Sequence, residues 1–317
     1  MSEVEAALQR ANVEKDAVVT KTVQRVASPW KPADAYESFE IVRRRLFEPL
    51  QGDGIAARDT VIGAFLAGYR KHEKELPDHL QTANYREAME RSYPIHPDLF
   101  DRLYKDWSSI EKFQRTRGVL RLLAKVVHEL WSRQDASPMI LTGTVPLDDP
   151  QVRSDLNRYL STAWDPVVSS DIEGEGSAAA AIDQENPLYG RTFITRRVAR
   201  AVFLGSAPAG DAPNRGLDTK QIALSCMLPN EKPSDFVGAL SRLSRGAAHL
   251  YSDQARYWFA LQPTVNRTAD QRKASIKSEE LDAEIIRQLE LTVKSEAGWK
   301  TYFTKVFEVF AFIATIY

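Results

Sequence analysis

The sequence predicts a mainly α-helical protein: a helical bundle followed by a winged helix-turn-helix unit that contributes one small β-hairpin. Three observations predict it. Apolar residues recur at three-to-four spacing through most of residues 36–131, the period of an amphipathic helix. Prolines and glycines fall between these patterns. Past residue 216, two short helical patterns give way to a stretch that alternates with period two, as a hairpin does. A chain of 317 residues that is 43% hydrophobic and 27% charged has enough apolar material for such cores.

The N-terminal segment, 1–35, begins MSEVEAALQRANVEKD, charged and helical in character. It lacks the apolar core of a secretory signal, so a cytoplasmic location is expected. A first bundle, 36–135, opens with YESFEIVRRRLFEPL, which puts Phe39, Val42, Leu46 and Phe47 on one helix face. Residues 57–76 repeat the pattern through Val61, Ala64, Phe65 and Tyr69 up to Pro77, and an antiparallel pair of helices is expected. Pro94 and Pro97 end one helix and start another, in which Asp98, Leu99, Leu103 and Trp107 share helical spacing. The 113–131 helix completes the bundle.

A connector, 136–205, reads as a short strand MILTG (139–143), the turn PLDDPQ, a helix from Val152, a loop EGEGSAAAAIDQENPLYG and a helix over 195–207. GSAPAGDAPNRG then looks like a linker, and a domain boundary is expected near 205–216. The winged-helix domain, 206–266, comprises a helix capped by Asp218 or Thr219, a second over 233–245 with Phe236, Ala239, Leu240 and Leu243 inward, and the hairpin HLYSDQARYWFAL. Of Tyr257, Trp258 and Phe259, two are expected in the core. The remainder, 267–317, is a charged helix and an apolar tail, VFEVFAFIATIY, of fewer than the ~20 residues that cross a bilayer. No membrane span is expected; a tail of this kind reads as truncated, with its partner elsewhere.

Several function classes are disfavoured. A net charge of -1 provides no global attraction to nucleic acid or acidic lipid, so an anion site must be local. Cys226, the one cysteine, sits among apolar neighbours and reads as a buried thiol. The five histidines show no metal-ligand spacing. Asp148 with Asp149, and Glu173 with Glu175, read as solvated loop carboxylates.

The informative stretch is FQRTRGVLRLLAK, 113–125. Advancing about 100° per residue from Arg117 places Arg121, Lys125 and His128 within about 80° of it. Val119, Leu122, Leu123, Val126, Val127 and Leu130 fall on the opposite side. With Thr116 as N-cap, backbone N–H groups and the positive end of the helix dipole would join the arginines. A planar guanidinium grips phosphate or carboxylate in two places, so the face suits either a phosphate or carboxylates of a neighbouring helix, such as Asp101 and Asp106.

FQRTRGVLRLLAKVVHELW, with EIVRRRLFE, SYPIHPDLFDRL and the stretch NRGLDTKQIALSCMLPN to RYWFALQPTVNR, resembles the C-terminal half of the domain-of-unknown-function 499 family of AAA+-like ATPases. Members stand beside DNA methyltransferase genes in phage-defence and restriction clusters. The resemblance runs from about 36 to 270 and implies an AAA+-type helical lid followed by a winged helix. It implies that Gly118 and Arg121, as Gly-x-x-Arg, form the lid's sensor-2 motif, with Arg121 reaching the terminal phosphate of ATP and Arg115 and Arg117 in support. It also implies a P-loop core as partner, on the same protein family or a neighbouring subunit, and possible contacts with DNA, a methyltransferase or other defence proteins.

No Gly-Lys dipeptide occurs, so the chain has no G-x-x-x-x-G-K-[ST] loop, and it has no apolar strand ending in Asp-Glu. ATP and Mg are therefore expected only if an upstream segment supplies the core. Two alternatives stand beside the ATPase lid: a nucleotide-independent protein-interaction module, and a DNA-binding regulator that uses Ser241, Arg242 and Arg245 of the second helix with Arg256 of the hairpin. Asp235 and Asp253 oppose those cations, which leaves a thin electrostatic footprint for DNA.

Overall fold

A computed structural model of the chain describes residues 35–107, 110, 115–209, 215–265, 267–268 and 283–288; the expected N-terminal helical segment and the apolar tail lie outside the described residues. The apolar spacing of the first pattern yields α1 (Ala35–Leu46), which buries Phe39 and Val42. The second yields α2 (Asp53–Lys71), whose core residues are Ile62, Phe65, Leu66 and Tyr69. Val61 is partly buried against this core, and Ala64 is exposed.

These two helices are not the antiparallel pair the sequence suggested. The main contacts of α1 are with α3 (Ala83–Ser92) and α5 (Arg115–Ser132), and α2 packs on α3. Phe39 of α1 stacks on Phe100 with ring centroids 4.4 Å apart, which fixes α1 on α4 (Pro97–Asp101). Pro97 occupies the first turn of α4, where a missing N–H costs nothing, and His96 caps it. The helix runs on as a π-helical turn, Arg102–Asp106, to the fully buried Trp107, whose indole N–H donates to Leu204 O at 2.9 Å.

The connector departs further from expectation. Met139 to Gly143 do not form a strand: Ile140 makes a single bridge to Ile95, and Thr142–Thr144 tighten into a 3-10 turn. Asp149 caps α6 (Pro150–Asn157), accepting from Val152 N at 2.8 Å. After α7 (Trp164–Val167) and a π-helical turn, Val168–Ile172, the segment expected to be loop forms α8 (Ala178–Glu185) and α9 (Pro187–Gly190). Ser177 and Asn186 cap them, so Gly174 and Gly176 lie ahead of a helix and Pro187 starts one. Both glycines lie before the N-cap, two and four residues ahead of the helix.

The centre of the second half is α10 (Ile194–Ser206), buried along most of its length. It is packed by α8, α11 (Thr219–Cys226), α12 (Pro233–Gly246) and the 142–144 turn, and at Gly205 the side chain of Leu217 takes the space a Cβ would fill. Asp218 caps α11 in a box with Gln221, and Phe236, Ala239, Leu240 and Leu243 of α12 are buried as expected. Strands β1 (Leu217–Asp218), β2 (Leu250–Asp253) and β3 (Arg256–Phe259) form an antiparallel sheet in the order β1-β3-β2. Gly216 adopts φ +86°, and a Cβ there would lie 2.4 Å from Tyr257 O, so only glycine lets β1 reach β3. Of the three hairpin aromatics, Phe259 is buried in the core and Tyr257 is partly buried against it, while Trp258 stacks on Tyr251 at 5.9 Å and is half-buried.

The packing does not divide at 205–216. Because α10 packs on α11, α12 and β3, it is an integral helix of the α11–α12–hairpin unit rather than the end of a connector, and one compact unit runs to Leu261. In the second unit, from Gln262, residues 283–288 are helical and Arg287 pairs with Glu284 at 2.7 Å. No helix among the described residues is long and apolar enough to cross a membrane.

Candidate functional site

The basic face expected of 113–131 is built by α5. Val119, Leu122, Leu123 and Val126 are buried, while Arg117, Arg121 and His128 are exposed. Gly118 is buried on the core side, three residues ahead of Arg121. Thr116 lies inside the helix rather than at its N-cap, and Arg115 is the first residue of the helix as described. Arg117 has no ion-pair partner among the described residues.

Arg121 is not without a partner. Its Nε lies 2.9 Å from Oδ1 of Asp155, on α6, and the Asp155 side chain is fully buried. Lys125 Nζ reaches the same oxygen at 3.3 Å and also donates to Gln151 O at 3.2 Å. Arg158 Nε approaches that oxygen from the C-cap of α6 at 3.5 Å. Three cations thus meet one carboxylate, a local surplus of two positive charges. Asp101 and Asp106, the carboxylates expected to pair with this face, are occupied instead by Lys105 and Arg102. The side chain of Arg121 remains 43% exposed and that of Arg158 55%, so both guanidinium groups border solvent.

The basic residues proposed for DNA are largely spent on the protein. Arg256 donates from Nε to Arg215 O at 3.2 Å and from Nη2 to Gly216 O at 2.5 Å, which clasps β3 to the segment before β1. Arg242 lies over Tyr189 of α9 at 5.7 Å, and Arg245 donates to Ser241 O at 3.2 Å. Ser241 is exposed.

Sequence reasoning missed the buried polar network where α4 meets α11. Asp98 accepts from the hydroxyls of Thr142 at 2.7 Å and Ser225 at 2.6 Å and pairs with Arg102 at 3.3 Å. Burial alone would raise its pKa, but Arg102, His96 and the two hydroxyls outweigh it and hold the carboxyl below its usual range. His96 is buried beside it, bonded to Tyr69 Oη at 2.9 Å, and burial depresses its pKa to about 4. The network forms part of the wall of a cleft of about 420 Å³ bordered by His79, Asp101, Lys105, Asp218 and Lys220. Each cation there has a carboxylate: Arg102 has Asp98, Lys105 has Asp101, and Lys220 has Asp78 at 3.7 Å. The cleft therefore presents no unanswered positive charge.

The carboxylates read as solvated loops are also engaged. Glu173 is buried against Arg200, Asp148 joins Arg133 at 2.6 Å and Arg200 at 3.5 Å, and Asp149 is the α6 cap. Only Glu175 is fully exposed, as expected. Cys226 is a free, buried thiol, and burial pushes its pKa well above the ordinary value. Among the described residues no group of three His, Cys, Asp or Glu side chains is placed to hold a metal. What the α5–α6 face presents is a cluster of three cations on one carboxylate beside solvent.

No curated protein and no solved structure matches the chain. A family model described as the DUF499 second domain matches residues 33–259, and the chain belongs to that family.

Proposed function

We propose that this chain is the helical lid and winged-helix part of a defence-associated AAA+-like ATPase, which lends an arginine-bearing helix face to ATP held by a P-loop core carried elsewhere. The observation that supports this most is the surplus of two positive charges where Arg121, Lys125 and Arg158 share the single carboxylate of Asp155, with Arg117 exposed about one turn before Arg121. A fully compensated structural ion pair would leave no such surplus. The family's description as a second domain accords with a nucleotide-holding segment in another domain. The helix, strand, helix, helix, hairpin order of α10 to β3, with its β1-β3-β2 sheet, accords with a winged helix. ATP and Mg would enter only with the core, and this chain alone would not turn ATP over.

The test is ATP turnover by the assembled protein that contains the P-loop core. Arg121→Ala is expected to lower turnover by at least about tenfold, as loss of one charge-assisted contact to a transferring phosphoryl group does, with the circular dichroism of the fold unchanged. Unchanged turnover with an intact fold would remove Arg121 from the nucleotide site.

The pairing of Arg121 with Asp155 favours a second reading, a protein-docking module independent of nucleotide, with the P-loop core, a DNA methyltransferase or another defence protein as partner. In that case Arg121→Ala weakens association and leaves per-complex turnover alone. The DNA-regulator reading has less support. On α12, the helix a winged helix presents to the major groove, a Cβ at Gly238 would lie 2.6 Å from Tyr189 Oη, and Arg242 stacks on the same ring. One flank of that helix is thus occupied by α9. Titrating the chain into duplex DNA at low salt is expected to show no binding; an affinity that falls steeply as salt rises would restore the DNA reading.

A further inference from the structure

The Asp155 cluster is poorly arranged for stability alone. Burying a carboxylate is costly, and the cost is usually recovered by satisfying both of its oxygens. Here Oδ1 receives all three cations, whereas Oδ2 is buried with no hydrogen-bond partner. The shortest contact of each arginine is an ion pair through Nε, the inner nitrogen of the guanidinium, while the hydrogen bond that Oδ1 accepts comes from Lys125. Neither Arg121 nor Arg158 has a bond from its Nη atoms among the described residues. A guanidinium that meets its carboxylate at Nε leaves its terminal pair of nitrogens available, the part that matches two phosphate oxygens.

We propose that Arg121 and Arg158 form a two-guanidinium clamp for a polyphosphate, and that Asp155 is the positioning residue that aims them. Arg158, the C-cap of α6, adds a second element to a site that sequence spacing confined to α5. Lys125, tied to Gln151 O and Asp155, supplies charge beneath the clamp and its side chain is less exposed, at 27%. Arg153 of α6 takes no part, because its guanidinium is bound to Leu147 O and Asp148 O. The identification of the polyphosphate as ATP rests on the nucleotide reading above; the clamp itself does not.

The test uses the 317-residue chain with inorganic tripolyphosphate as probe, measured by calorimetry at low salt with sulfate as a control for general anion attraction. Tripolyphosphate is expected to bind more tightly than sulfate. Arg121→Gln and Arg158→Gln are each expected to weaken it about tenfold, the value of one charge-assisted contact. The decisive variant is Asp155→Asn. Simple electrostatics predicts tighter anion binding when a neighbouring negative charge is removed, whereas a positioning role predicts weaker binding because both forks lose their anchor. Weaker binding with an unchanged circular dichroism spectrum supports the clamp. Equal or tighter binding, or an Arg158→Gln variant that binds like wild type, overturns it. Tripolyphosphate binding with these properties, in a protein whose assembled ATP turnover ignores Arg121→Ala, would overturn the nucleotide reading and leave the clamp standing. Turnover that falls in Arg121→Ala with no tripolyphosphate binding would overturn the clamp alone.

Discussion

Arg197→Ala is expected to destabilise the fold by about 3–5 kcal/mol, the usual result of removing one partner from a buried ion pair. Arg197 is 3% exposed on α10. Its Nη1 donates to Cys226 O at 2.7 Å and Glu231 Oε2 at 3.0 Å, and its Nη2 to Glu231 Oε1 at 2.5 Å and Thr192 Oγ1 at 3.2 Å. The guanidinium also lies 5.3 Å from the Phe236 ring centroid. One side chain therefore joins α10 to the end of α11, to the turn that carries Glu231, and to the core face of α12. Truncation leaves Glu231 without its countercharge in a place that is only 16% exposed, and leaves a carbonyl without a donor. In thermal unfolding followed by circular dichroism, the midpoint should fall by roughly 10 °C for a unit of this size. The double variant Arg197→Met with Glu231→Leu should recover most of the loss, because it removes the uncompensated charge along with its partner. A single variant within about 1 kcal/mol of wild type would show that the pair contributes little beyond its own desolvation cost.

Arg197 also marks the limit of what the sequence discloses. The apolar faces of α1, α5 and α12, the proline at the start of α4, the Asp218 cap and the hairpin were all legible, because each is a local pattern set by helix or strand period and by the chemistry of a terminus. Arg197, Glu173 and Asp155 were not. In sequence each is a charged residue in a polar neighbourhood, and what makes it structural is a partner 29, 27 or 30 residues away, namely Cys226 O, Arg200 and Lys125. The candidate site divides in the same manner. The basic stripe of α5 could be read from helical geometry, but the carboxylate that meets it lies on another helix, and Arg158 became visible as a member only through that shared oxygen. The misplaced loop over 173–190 is a different failure. Ser177 and Asn186 were readable caps, and weighing them against the glycines would have found α8 and α9.

Acidification from pH 7 to about 4.5 is expected to cost about 2 kcal/mol of stability through His96 alone. Burial is the first cause of its depressed pKa, with His79 adding to it and Asp98 opposing it; the result is about 4, against 6.5 for the free side chain. The imidazole is therefore neutral in the folded state at pH 5, while in the unfolded chain it is largely protonated. The unfolded state binds more protons throughout that interval, so stability rises with pH across it and is lost as pH falls from about 6.5 toward 4. Neutral His96 is also what the local geometry uses, because Nδ1 accepts from Asp98 N at 3.3 Å and Nε2 faces the hydroxyls of Tyr69 and Tyr85 at 2.9 and 3.4 Å. Asp98 titrates in a separate window. Its folded pKa lies below the ordinary carboxylate value, so its contribution is complete above about 4 and is lost only below it. Denaturant titrations at pH 7, 5.5 and 4.5 should thus show a decline that Asp98 does not produce. In His96→Gln, which keeps polar atoms in the cavity but cannot titrate, the variant starts less stable at pH 7 and the decline between pH 6.5 and 4.5 should shrink by about 2 kcal/mol. A wild-type profile flat across that interval, or a decline of equal size in His96→Gln, would remove His96 as its source.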